Sequence, residues 1–131
     1  MPTPKFLDAE AVLKLHARQI ERFGGTAGVR DEGLLDSALA QPKATFGGEL
    51  LHPTLAEQAA AYLYHLAKNH PFVDGNKRTA FAVIDTFLRI NGTRLSLTDN
   101  EAYDLVMRVA QGQVDKATLA EILAGALEPR S

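Results

Sequence analysis

Five polar groups of different chemistry fall within nine positions of this chain: His70, Asp74, Asn76, Lys77 and Arg78 in HPFVDGNKR. Histidine exchanges protons near neutral pH, so His70 can take the proton of an attacking hydroxyl. Asp74 offers a hard oxygen ligand for Mg²⁺, which binds through one or two carboxylates and completes its shell with water and substrate phosphates. Gly75 leaves room for a phosphate to approach the main chain, and Asn76 adds an amide donor. Lys77 and Arg78 bring positive charge, and a guanidinium grips phosphate bidentately. Lys68, two residues before the histidine, adds a further cation for phosphate. Base, metal carboxylate, anion nest and cations are the parts that phosphoryl or nucleotidyl transfer requires. Each residue alone also has an ordinary reading in turns and helix ends; the chemistry lies in the constellation. It is not a Walker A loop, because Gly-x4-Gly-Lys-Ser/Thr spacing is absent.

These residues sit at a seam between two helices. Pro71 disfavours helical geometry at His70, so a helix opened by Thr54 and Glu57 as a capping box ends near Asn69. The next begins near Asn76 and runs to Ile90 before Asn91-Gly92. Its first N–H groups lack internal partners and, with the helix dipole, favour an anion. Apolar periodicity places other helices around this pair. One spans Leu7 to Phe23 with Asp8 as cap and Gly24-Gly25 as stop, and a short one is capped by Asp31 and ended by Pro42. A fifth runs from the Thr98–Glu101 capping box to Gln111, and a last from Asp115 to Leu127 before Pro129. Residues 43–53, with Gly47-Gly48, read as a mobile loop, and TRLSL as briefly extended. The expectation is an all-α single compact bundle of about six helices over residues 1–131. Its active-site loop would lie between the third and fourth helices.

Composition narrows the function classes. The 131 residues are 46% apolar and 23% charged, with formal net charge −2. Ordinary globular composition without basic excess argues against direct nucleic-acid binding and against an anionic membrane as partner. The absence of cysteine excludes disulfides and thiolate metal sites. No signal-peptide pattern opens the chain, and no apolar run reaches the ~20 residues of a membrane span. A cytoplasmic protein is expected. His16 and His65 fall on helical faces and read as packing or surface residues; Arg22, Arg30 and Asp31 read as capping and surface charges.

The order of residues in HPFVDGNKRTA resembles the signature of the Fic/Doc superfamily. Lys77 between Asn and Arg resembles the Doc (death-on-curing) branch, whereas most Fic nucleotidyl transferases have Gly there. The segment Arg22 to Pro42, RFGGTAGVRDEGLLDSALAQP, resembles the family's N-terminal region. The resemblance implies a toxin of a toxin–antitoxin pair that phosphorylates a threonine of elongation factor Tu from ATP and Mg²⁺. It implies His70 as the activating base, Asp74 as the metal carboxylate, Gly75 and Asn76 as the anion hole, and Lys77 and Arg78 as phosphate contacts. Lys68 stands where the family's best-known Doc toxin has Arg. No Ser/Thr-x3-Glu-Gly/Asn inhibitory helix is present, so inhibition would come from a cognate antitoxin, a disordered segment that folds into a groove. AMP transfer to a protein hydroxyl on the same scaffold, and a non-catalytic binding module, are the alternatives.

Overall fold

Five helices of the computed structural model, which describes residues 3–130, start on a side-chain cap. Asp8, Asp31, Thr54, Thr98 and Asp115 each accept a hydrogen bond from the main-chain N–H three residues on. They open α1 (Ala9–Phe23), α2 (Glu32–Ala40), α3 (Leu55–Asn69), α5 (Asp99–Ala110) and α6 (Lys116–Gly125). α4 (Asn76–Ile90) is the exception, with Gly75 at its N-cap and no side-chain cap bond. Thr98 and Glu101 form the full reciprocal box. At Thr54 only half of the expected box closes: Glu57 takes the threonine hydroxyl at 2.9 Å, and only the Thr54 side chain caps the main chain, accepting from Glu57 N at 3.1 Å.

α3 lies at the centre, packed on α4, α6, α2 and α5. Its alanines Ala56, Ala59, Ala60, Ala61 and Ala67 are buried, so neighbouring backbones approach closely. Around them Tyr62, Leu63, Leu66, Phe87, Leu119 and Leu123 fill one core cluster. Tyr62 ties the N-terminal segment to this core, its hydroxyl accepting from Leu7 N–H at 2.9 Å and donating to Leu7 C=O at 3.3 Å. Burial raises its pKa to about 12.

The all-α expectation holds, with four short strands added. Residues 43–53 are not an irregular loop. After a 3₁₀ turn (Gln41–Lys43), β1 (Thr45–Phe46) and β2 (Glu49–Leu50) pair as an antiparallel hairpin. Gly47 and Gly48 both take positive φ, 60° and 84°, as a two-residue hairpin turn demands. The extended reading of TRLSL is met by β3 (Thr93–Leu95), whose partner is β4 (Leu127–Pro129). α6 therefore stops at Gly125, short of Leu127, because the chain turns to pair with β3.

His65, half-buried on α3, accepts a hydrogen bond from Lys116 Nζ at 3.2 Å. Burial, then the Lys116 charge, then His52 push its pKa down to about 4. The unfolded chain takes up a proton at His65 near pH 6.5, whereas the folded chain resists to about 4. Stability is therefore lost as pH falls through that window. Thermal melts from pH 7 to 4 should show a smaller fall in Tm for His65→Gln than for the wild type; equal slopes would refute the assignment.

Candidate active site

The loop between α3 and α4 is anchored inside and tethered outside. Phe72 is 1% exposed, and the His16 ring stacks on it with centroids 3.9 Å apart and planes within 7°. His16 Nε2 also lies 2.8 Å from the Asp74 carbonyl, joining α1 to the loop. The Asn76 amide clasps the loop from within, accepting from Phe72 N–H at 2.9 Å and donating to Phe72 C=O at 3.0 Å. On the outer side runs the strap of residues 24–31 that follows α1. Val73 N–H donates to Gly28 C=O, and the N–H groups of Arg30 and Asp31 both reach Pro71 C=O. Val29 and Phe72 form an isolated antiparallel bridge.

His70 terminates α3 in the left-handed conformation, φ 48° and ψ 56°, the one positive-φ non-glycine among the described residues. It is exposed, and its ring makes no hydrogen bond among the described residues. From it the chain runs through Pro71 to Gly75 into the N-terminus of α4. That N-terminus is unblocked: Gly75 has φ 74°, and the N–H groups of Asn76, Lys77 and Arg78 precede the first internal bond of α4. A Cβ at Gly75 would stand 3.1 Å from the end of the Ile20 side chain, so the positive φ is the main demand for glycine here.

Asp74 is oriented by the main chain. Gly75 N–H donates to Oδ1 at 2.9 Å and Thr26 N–H to Oδ2 at 3.2 Å. A carboxylate has about four acceptor positions, so two remain. Among the described residues no three His, Cys, Asp or Glu side chains gather into a metal cage. A lone, exposed, pre-oriented carboxylate fits Mg²⁺, which takes most of its shell from water and phosphates; it would not fit a structural zinc.

Lys77 and Arg78 line a cleft of about 190 Å³ between α1, α4 and α5, with Gln19, Phe23, Tyr103 and Met107 among its walls. The Arg78 guanidinium lies over the Phe23 ring at 4.0 Å. Lys68 is directed elsewhere. Its ammonium lies 5.9 Å from the Tyr64 ring, one turn back along α3, and 3.2 Å from where a Cβ on Gly112 would stand. Helical side chains lean toward the N-terminus of their helix, which takes Lys68 away from the His70 end. His70 ends α3, Asp74 and Gly75 lie on the loop that follows and Asn76 opens α4, while Lys77 and Arg78 line the adjoining cleft and the Lys68 ammonium faces Tyr64. The Asn76 side chain, expected as an anion donor, serves chiefly to close the loop.

Three supports of the site carry no mark of that role in the sequence. His16 reads there as packing, Arg30 as surface charge, and Phe23 as the last apolar residue of α1. Only the Gly24-Gly25 stop signals that the chain turns back here.

A model of the Fic/DOC family matches residues 6–88. The chain is 48% identical to Toxin Doc of Mycolicibacterium smegmatis over 123 residues, 92% of each protein. It is 32% identical to Protein kinase doc of Escherichia phage P1 over 119 residues, 91% of this chain and 93% of the phage protein.

Proposed function

Because the chain belongs to the Fic/DOC family, we propose that it is a Doc-like toxin that transfers the γ-phosphate of ATP to a threonine of elongation factor Tu. The observation that carries this reading is the uncapped N-terminus of α4, with His70 and Asp74 on the chain that leads into it and Lys77 and Arg78 in its first turn. His70 takes the proton of the threonine hydroxyl as its oxygen bonds to the γ-phosphorus. The bond to the bridging oxygen breaks, and ADP leaves. The free N–H groups of the first turn of α4 hold phosphate oxygens, and Lys77 and Arg78 neutralise the charge that develops. Asp74 would hold Mg²⁺, which when bound would supply further neutralisation of phosphate charge.

A cognate antitoxin is the partner that the toxin reading calls for. The cleft beside Lys77 and Arg78 suits a folding-on-binding segment: Phe23 is 49% exposed and Tyr103 63%. A segment seated there would cover both cations.

Incubation with elongation factor Tu and ATP labelled at the α or the γ position tests the reaction. Label retained from γ alone supports phosphorylation. Label retained from α means that the nucleotide lies reversed and AMP is transferred. No label from either position, under conditions where a Doc kinase is active, leaves a non-catalytic binding module and refutes the proposal.

A further inference from the structure

We propose that Arg30 is a positioning residue for His70, holding the histidine in its left-handed conformation through the carbonyls at the end of α3. The proposal rests on the reading of His70 as the base. Arg30 Nε donates to His70 C=O at 2.7 Å and Nη2 to Asn69 C=O at 2.8 Å. The same residue's N–H reaches Pro71 C=O at 2.7 Å. One residue therefore grips three consecutive carbonyls that flank both sides of the His70 backbone.

The need for it follows from the chain itself. A helix end leaves carbonyls without internal donors, and the residues beyond usually supply N–H groups to them. Pro71 has no N–H, and among the described residues no main-chain cap closes α3, unlike α1, α4, α5 and α6. A guanidinium replaces those donors and places a cation at the negative end of the helix dipole. A planar fork is the side chain suited to bridging two adjacent carbonyls, and an ammonium is not. His70 has a side chain in a region that such residues rarely adopt. Without the clamp it is expected to relax toward ordinary geometry, redirecting the imidazole. Asn69 adds a brace, its amide donating to Leu34 C=O at 3.0 Å, which fixes the same helix end to α2.

The test combines kinetics with a direct readout of the His70 backbone. Arg30→Ala should lower kcat by on the order of a hundredfold with little change in KM for ATP, as expected when a reacting group is misplaced while the groups that bind substrate stay intact. Arg30→Lys should fall between the two. Guanidinium ion added to Arg30→Ala should restore part of kcat. In NMR spectra of folded protein, the Cα and Cβ shifts of His70 should leave left-handed values in both variants, most in Arg30→Ala. Unchanged His70 shifts, or an effect confined to KM, would overturn the proposal. If the wild-type chain moves no phosphate, the kinase reading fails on its own account, and the His70 shifts still decide whether the clamp exists.

Discussion

Replacing His70 with asparagine should lower phosphate transfer by about 10²–10⁴-fold, the usual contribution of a general base. Asparagine is chosen because it tolerates the left-handed conformation that His70 adopts at φ 48°. The backbone is thus preserved and the proton acceptor removed. The ring makes no hydrogen bond among the described residues, so little stability should go with it. Initial rates with γ-labelled ATP, measured beside the Tm of each variant, separate chemistry from folding. A rate within tenfold of wild type would mean that another group takes the proton. His70→Ala should lose as much activity, and more stability, since alanine gains nothing at positive φ.

The second large effect is expected at a residue with no reactive group. Gly25 has φ 115°, and a Cβ there would stand 2.7 Å from Asp74 Oδ2 and 3.2 Å from Ile20 Cδ1. Gly25→Ala must displace the Asp74 carboxylate or the strap that holds it. The loss of transfer should be on the order of 10²-fold, as when a reacting group is misplaced by about an ångström. The Mg²⁺ concentration for half-maximal rate should rise as well, and backbone strain should cost roughly 1–3 kcal/mol of stability. Gly24→Ala is the control. Its φ is 82°, but nothing lies within 4 Å of the added Cβ, so it should lose stability and keep its Mg²⁺ requirement. If both variants show the same Mg²⁺ dependence, Asp74 is not the metal carboxylate.

The helices are legible in the sequence because their ends are written in local chemistry. Asp8, Asp31, Thr54 and Thr98 cap the helices that the sequence assigns to them, and Asp115, read as the start of the last helix, is its cap. The seam at Pro71 is equally readable, since a proline acts on its immediate neighbour. What cannot be read is what distant residues do to that seam. Nothing local distinguishes Arg30 from any surface arginine, and its role depends on where α2 docks against α3. His16 looks like any histidine on an apolar face until Phe72 is stacked on it. The hairpin at Thr45–Leu50 escapes the sequence for another reason: two-residue strands are too short to show alternation, and Gly47-Gly48 reads equally as a flexible link or a tight turn. Lys68 shows another limit, since nearness in sequence to His70 does not reveal that its ammonium lies beside Tyr64, one turn back along α3.

The strap also governs how the molecule opens in part. The bonds that shape the α3–α4 loop from outside join residues 39 to 58 positions apart, through Arg30, Thr26 and His16. The core around α3, α4 and α6 meets the loop at Phe72, which belongs to the same buried cluster. A fluctuation that lifts residues 24–31 would free the carbonyls of Asn69, His70 and Pro71 and one oxygen of Asp74 together, while Phe72 and His16 stay packed. Such sub-global openings occur well below the free energy of complete unfolding. The geometry of the candidate site would thus be more easily lost than the core beneath it. It would be the first thing to disappear on warming and, because its partners lie so far upstream, among the last to assemble.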